Sequence, residues 1–254
     1  MLGEERRQYI INLVNKTGSI SASEIARILN LSEVTIRRDL DRLAINNFIK
    51  RTHGGAISID SVGHELKFED QKEKNIDEKK RIALAAASLI DEGDVVLIEA
   101  GTTGYQTALN ITNRKDLTVV TNSCDIAVLL GKTNPRFKII ISGGILNTYT
   151  HALTGPIADS SFRSLFVDKA FIGITGIDFY KGITTVDPLE AQTKKYILNS
   201  AKKIIALCDH SKIGHISMNF ISPVKVINTF ITDTLADADF LEKLKETGVE
   251  VIEC

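Results

Sequence analysis

"DVVLIEAGTTG", Asp94 to Gly104, is a short apolar run that passes without alternation into glycines and hydroxyls. A strand buried on both faces shows no polar alternation, and such strands belong to parallel sheets covered by helices. Gly101, Thr102, Thr103 and Gly104 follow at the carboxyl end of that strand. Glycine amides and hydroxyls at this position suit a phosphate group. The stretch raises the question of whether the chain holds a phosphate to transform it or to register it.

Working outward, apolar runs and helical patterns alternate from Asp77 to the end. "DEKKRIALAAASLI" predicts a helix capped by Asp77, followed by "DVVLIEA" as a buried strand. A helix around 103–112 precedes the strand "LTVVTN" and the helix "SCDIAVLLGKT". The strand "FKIIISGG", the helix "DSSFRSLF" and the strand "KAFIGITGI" come next. "DPLEAQTKKYILNSAK" predicts a helix with Asp187 as its cap and Pro188 at its opening, before the strand "KIIALCDH". The tail adds "VKVINTFITD", the helix "DADFLEKLKET" and a last strand, "VEVIE". The expected fold class is α/β with a mostly parallel sheet.

In such sheets ligands sit beyond the carboxyl ends of the strands. Those ends hold Glu99, Gly101, Thr102 and Thr103; Thr121, Asn122 and Ser123; Ser142, Gly143 and Gly144; Gly173, Thr175 and Gly176; and Asp209, Ser211 and Lys212. Glycine lets amides approach an anion, and Lys212 supplies a full positive charge. Glu99 and Asp209 suit sugar hydroxyls. Together they predict a small, polyhydroxylated, phosphorylated ligand. The plainer alternative is that Gly and Thr simply turn the chain after each strand. There is no GxGxxG and no GxxxxGK[ST], which counts against a dinucleotide site and a Walker-type ATPase.

The first 56 residues have a different character. They carry nine Lys/Arg against six acids, whereas the remainder carries 22 against 26. A small basic module on a larger acidic body is a common form of nucleic-acid reader. Residues 4–15 place Tyr9, Ile10, Leu13 and Val14 on one helical stripe. Ser21 with Glu24 forms a capping box for a second short helix, and Ser32 caps a third. Ile36, Leu40 and Leu43 form the core stripe of that third helix, while Thr35, Arg38 and Arg42 lie on another face beside Arg37. Residues 20–39 thus read as a helix-turn-helix whose second helix offers Ser32, Thr35, Arg37 and Arg38 to a major groove. "FIKRTHGGAI", Phe48 to Ile57, reads as a wing carrying Lys50, Arg51 and His53. A three-helix interaction module with solvated arginines remains the alternative on these patterns alone.

The composition is that of a soluble globular chain of 254 residues, with 43% hydrophobic and 25% charged residues. No apolar run reaches the roughly 20 residues of a membrane helix, and the opening "MLGEERRQYI" is unlike a secretory signal. Cys124, Cys208 and Cys254 lie far apart, with no CxxC pair, so reduced thiols and no structural zinc are expected. The expected compartment is the cytoplasm, with no metal and no cofactor. Residues 58–76 lose periodicity and read as a linker with a short helix. His64, His151, His210 and His215 read as solvated loop residues, and Lys194 and Lys195 as a solvated helix face that near Glu190 approaches a phosphate.

Residues 6–56 closely resemble the N-terminal domain of the DeoR family of bacterial transcriptional regulators, above all in "LSEVTIRRDL" (Leu31–Leu40) and "RTHGGA" (Arg51–Ala56). The resemblance continues through "EAGTTG", "VVTNS", "SGGIL", "DKAFIGITGID", "KGITTVDPLEAQTKK" and "DHSKIG". It implies a winged helix-turn-helix over residues 1–57, a linker over 58–76 and a sugar-phosphate sensor over 77–254. Operator contacts would fall on Ser21, Ser32, Thr35, Arg37, Arg38, Arg42, Arg51 and His53. The family's usual Asp before Gly-Thr-Thr is Glu99 here, which moves the carboxylate outward by roughly 1.5 Å.

The family's sensor is similar in fold to ribose-5-phosphate isomerase, and a sugar-phosphate isomerase-like enzyme with an attached DNA reader is the alternative reading. Lys181 and Glu190 have the spacing of that enzyme's Lys and general-base Glu. The enzyme's acidic loop is replaced by "GITGID", in which only Asp178 remains, so Glu190 reads as a sugar-hydroxyl contact or a carboxylate at a helix N-terminus. The expectation is a repressor, not an enzyme. It binds double-stranded operator DNA as a dimer or tetramer, and a sugar phosphate controls that binding.

Overall fold

The computed structural model describes residues 3–17, 19–46, 48–52, 54–58 and 67–254. The chain divides into two compact units, residues 1–64 and 65–254.

The first unit runs α1 (Gly3–Thr17), β1 (Ser19–Ser21), α2 (Ala22–Leu29), α3 (Glu33–Ile45), β2 (Ile49–Arg51) and β3 (Gly55–Ser58). Ser21 caps α2 by accepting from the Glu24 amide at 3.1 Å, and Ser32 caps α3 through the Thr35 amide at 3.3 Å. Asn30, at φ 52°, turns the chain between them. Ile10, Val14, Ile25, Ile36, Leu40 and Leu43 meet in one core, so the expected stripes face inward, apart from the exposed Tyr9. β2 and β3 form the wing, and β1, which the sequence patterns do not announce, pairs with the outer side of β3. Gly55 explains itself there: a Cβ would lie 2.1 Å from the Ile20 carbonyl oxygen of β1. Buried Asp39 fastens α3 to α1 through Arg6 at 2.6 Å and Arg7 at 3.7 Å.

The second unit begins with α4 (Phe68–Glu73), α5 (Ile76–Ser88), β4 (Val95–Ile98), α6 (Thr102–Asn110), β5 (Thr118–Thr121), α7 (Cys124–Thr133) and β6 (Lys138–Ile141). It continues with β7 (Ile145–Leu146), β8 (Leu153–Thr154), α8 (Pro156–Arg163), β9 (Val167–Gly173), β10 (Gly176–Asp178), β11 (Gly182–Thr185) and α9 (Pro188–Ser200). It closes with β12 (Ala201–Leu207), β13 (Asn219–Ser222), β14 (Thr229–Thr232), α10 (Ala238–Glu246) and β15 (Glu250–Glu253). Seven strands make one sheet in the order β15-β14-β12-β9-β4-β5-β6, and every neighbouring pair is parallel. Leu97, Ala170, Ile172, Ala206 and Phe230 fill the core on one face. Val96, Ile98, Phe171, Ile205 and Ile231 fill it on the other, which is why these strands read as unbroken apolar runs.

Four expectations shift. "KAFIGITGI" is not one strand: β9 ends at Gly173, and β10 starts a separate antiparallel sheet with β11 and β13. In "VKVINTFITD" only Thr229–Thr232 forms a strand, after a 3-10 turn at Val224–Val226. Asp77 does not cap α5; Asn75, at φ 53°, precedes the helix, and Asp77 falls inside its first turn. Residues 67–76 of the expected linker belong to the second unit, because Phe68 is buried in it. Among the described residues no helix is long and apolar enough to cross a membrane.

Candidate functional site

β4 is the point where the winding of the sheet reverses: β5 and β6 lie on one side of it and β9 on the other. The crevice at such a switch point is where open α/β sheets bind ligands. Glu99 sits at its base, 3% exposed. Its Oε2 accepts from the Gly173 amide at 3.0 Å and pairs with Lys194 Nζ at 3.2 Å, and that ammonium also donates to the Gly173 carbonyl at 2.8 Å. Burial pushes the Glu99 carboxyl up, while Lys194 and the Gly173 amide oppose the rise. Oε1 accepts no hydrogen bond among the described residues. The longer side chain of Glu99 therefore reaches across to β9. Lys194 is not on a solvated face: it is as buried as Glu99, on the α9 stripe formed with Ala191, Ile197 and Leu198. A lysine at i+3 in an apolar stripe was the signal that composition concealed. Glu190, half-buried in the first turn of α9, places its Oε1 3.9 Å from the same ammonium.

Beyond Glu99 the chain enters α6 at Gly101, whose φ is 140° and which gives that helix no side-chain cap. Thr102 and Thr103 form the first turn with their amides at the helix N-terminus, and Thr103 is buried. Gly104 has a packing reason: a Cβ would lie 2.4 Å from the Glu99 carbonyl oxygen. Gly104→Ala is expected to cost about 1–3 kcal/mol, read as a lower melting temperature of the second unit. The wall beside this loop is built by "TNS". Thr121 Oγ1 donates to the Ile98 carbonyl at 2.7 Å, Asn122 Oδ1 accepts from the Ala100 amide at 2.8 Å, and Ser123 Oγ caps α7. These three side chains already have protein partners. Gly143 and Gly144 turn the chain from β6 into β7. Gly176 packs against the carbonyl of His215, and Lys181 lies exposed at the tip between β10 and β11.

A second polar cluster lies at the end of β12, two strands from β4. Asp209 is buried, and its Oδ1 accepts from the Ser211 amide, the Ser211 hydroxyl and Asn75 Nδ2 at 3.1, 2.5 and 2.9 Å. Burial would raise its carboxyl, but Lys212, Ser211, Asn75 and Lys79 together hold it below the usual carboxylate range. Lys212 is 8% exposed, and its ammonium makes no hydrogen bond or ion pair among the described residues. Lys79, on α5, is 2% exposed; burial lowers its ammonium to about 8, and it donates to the Gln71 carbonyl. Two buried cations therefore flank one buried carboxylate. Lys79 escaped the sequence reading because it sits among five charged residues that look solvated. The histidines are not simply solvated: His210 meets Asp233 at 2.9 Å, and His151 meets Asp125 at 2.7 Å. His64 lies outside the described residues.

On the first unit, Arg37, Arg38 and Arg42 are exposed on α3, with Thr35 half-buried beside them. Arg37 pairs with Glu33 at 3.2 Å; the guanidinium groups of Arg38 and Arg42 have no ion pair among the described residues. Ser21 and Ser32 serve as helix caps. Arg51 is engaged with Asp41 at 2.8 Å and with the Gly55 carbonyl, holding the wing to α3. His53 lies outside the described residues. Val34, 62% exposed in the first turn of α3, was not singled out, although an aliphatic side chain there suits a thymine methyl.

Comparison with known proteins joins the two units. The DeoR-like helix-turn-helix domain matches residues 6–62, and the DeoR C terminal sensor domain matches residues 74–234. The HTH-type transcriptional regulator GlpR of Haloferax volcanii is 34% identical over 253 residues, covering 100% of this chain and 98% of that protein. The HTH-type transcriptional repressor GlcR of Bacillus subtilis is 35% identical over 253 residues, covering 99% and 96%. The glycerol-3-phosphate regulon repressor of Escherichia coli is 30% identical over 250 residues, covering 98% of each. Among solved structures, ribose 5-phosphate isomerase A of Methanocaldococcus jannaschii is a distant likeness, with 18% identity, 55% of each chain covered and a TM-score of 0.41. The chain belongs to the DeoR family of DNA-binding transcriptional regulators.

Proposed function

We propose that the protein is a cytoplasmic repressor of sugar-metabolism genes whose operator affinity falls when a phosphorylated sugar occupies the crevice at the carboxyl end of the sheet. The observation that carries this reading is Lys212, a largely buried lysine whose ammonium still reaches solvent and makes no ion pair or hydrogen bond among the described residues, beside Lys79 and Asp209. One carboxylate, Asp209, stands between the two cations Lys212 and Lys79, and a ligand anion balances the second charge. The first-turn amides of α6 add partial positive charge. β4 and β12 are two strand spacings apart, roughly 10 Å, a span that suits a sugar phosphate. Glu99 Oε1 and Asp209 Oδ2, which accept no hydrogen bond among the described residues, suit its hydroxyls. Relatives named as repressors, one of them of a glycerol-3-phosphate regulon, support the same reading.

Two carboxylates weigh against the isomerase alternative. Asp178 Oδ1 accepts from the Tyr180 and Lys181 amides at 2.9 and 2.7 Å and so holds the turn, while Glu190 faces Lys194. A melting-temperature screen against phosphorylated sugars, with each hit then tested for operator binding at fixed salt, decides the matter. A hit that weakens DNA binding without being turned over supports the repressor; turnover of a pentose phosphate supports the enzyme.

For DNA we propose that α3 reads the major groove through Arg37 and Arg38 and that the protein binds a symmetric operator as a homo-oligomer. Arg38→Ala is expected to cost about 1–3 kcal/mol of binding if the contact is to a base, and to reduce the salt slope by about one if it is to phosphate. Fluorescence anisotropy over a salt series separates the two.

A further inference from the structure

Residues 67–75, at the start of the second unit, form a strap across the carboxyl end of the sheet. At its start, the Phe68 amide donates to the Tyr149 carbonyl at 2.6 Å. The Phe68 ring stacks on His151 at 4.9 Å and meets the edge of Tyr105 at 6.3 Å. Lys67 lies 6.0 Å over Tyr149, and Lys72 lies 5.9 Å over Tyr105. Tyr149 and His151 belong to the segment between β7 and β8, and Tyr105 to the opening of α6. Midway, the Gln71 carbonyl accepts from Lys79. At its end, Asn75 donates to Asp209 Oδ1 at 2.9 Å. The strap thus touches the mouth of the crevice from the β7–β8 segment to the end of β12.

Two of these fastenings use groups that a sugar phosphate would engage. Asp209 holds Asn75, and Lys79 holds Gln71. Oδ1 of Asp209 already receives three donors, so a ligand hydroxyl takes the free Oδ2 and, by turning the carboxylate toward itself, loosens the bonds at Oδ1. An anion beside Lys79 likewise draws its ammonium away from a neutral carbonyl, because a charge-assisted bond is the stronger. The position of the strap is therefore conditional on what fills the crevice. We infer that Asn75 is the positioning residue that couples ligand occupancy at Asp209 to operator affinity, by fixing the strap through which the chain enters the sensor. This rests on the ligand site proposed above.

The test uses the full chain, inorganic phosphate as probe, and a DNA duplex selected in vitro by the wild-type protein, with ionic strength held constant by chloride. Asn75 has φ 53°, so Asn75→Gly removes the amide while keeping the backbone conformation. Wild type should bind phosphate, read as a rise in melting temperature, and phosphate should change its DNA affinity by about fivefold or more. Asn75→Gly should bind phosphate as tightly as wild type, yet show DNA affinity independent of it. Phe68→Ala, which loosens the other end of the strap, should uncouple in the same way. The inference is overturned if Asn75→Gly keeps the full phosphate effect on DNA, or if wild-type phosphate binding leaves DNA affinity unchanged; in both cases the ligand site stands. If wild type binds no phosphate at all, the ligand site falls, and the inference with it.

Discussion

Lys194→Met is expected to lower the stability of the sensor by about 3–5 kcal/mol, the usual cost of removing one partner of a buried ion pair. For a unit of this size the loss corresponds to a melting shift of roughly 10 °C. Lys194 and Glu99 are each 3% exposed, and the ammonium also holds the Gly173 carbonyl, so its removal leaves the carboxylate with the Gly173 amide alone and takes a donor from that carbonyl. The loss should depend on pH. Burial raises the folded Glu99 carboxyl above its unfolded value, and without Lys194 nothing but the Gly173 amide opposes that rise. A raised folded value means the folded state keeps a proton that the unfolded state has released. Stability of the variant then falls as pH climbs from the unfolded value toward the folded one. The melting deficit should be smaller at pH 5 than at pH 8. Glu99→Gln combined with Lys194→Met removes both charges and should recover much of the deficit. A loss below about 1 kcal/mol, the size of an exposed ion pair, would mean that the pair does not hold β4 to β9.

Lys212→Ala is expected to do the opposite: leave folding intact and weaken phosphate binding by about 10- to 100-fold, as for one charged hydrogen bond. The ammonium forms no ion pair or hydrogen bond among the described residues, and it lies close enough to Lys79 to depress that group. Its removal relieves a like charge beside Lys79 but also takes an opposite charge from Asp209, so the melting temperature should change little. Calorimetric titration with phosphate, alongside a melt of the unliganded protein, reads both quantities. A variant that melts early but binds normally would make Lys212 a structural residue and remove the anion seat from the proposed site.

What the sequence made legible was local. Ser21, Ser32 and Asp187 cap their helices as their spacing announces, because a cap is satisfied within three residues. The parallel strands stood out because both of their faces are buried. Strand order did not, since β4 pairs with β9 across 73 residues for reasons spread over the whole core. The same limit governs the site. Thr121, Asn122 and Ser123 read as ligand contacts, and the protein partners that the structure gives them, on other segments or in the next helix turn, were not legible. Lys194 reads as solvated, and Lys79 draws no reading, because charge outweighs position in a single sequence. Only their burial, which is a property of the packed sheet, reveals them. The wing needed Gly55 for the approach of β1, a strand three residues long that no pattern announces.

The packing of α4 also changes where the protein can be divided. A fragment starting at Asp77 would discard the ring that rests on His151, the carbonyl that receives Lys79 and the amide that Asp209 holds. It would therefore isolate a sheet stripped of the strap that crosses its carboxyl end. The smallest piece that keeps these contacts includes Lys67, and residues 67–76 belong structurally to the second unit.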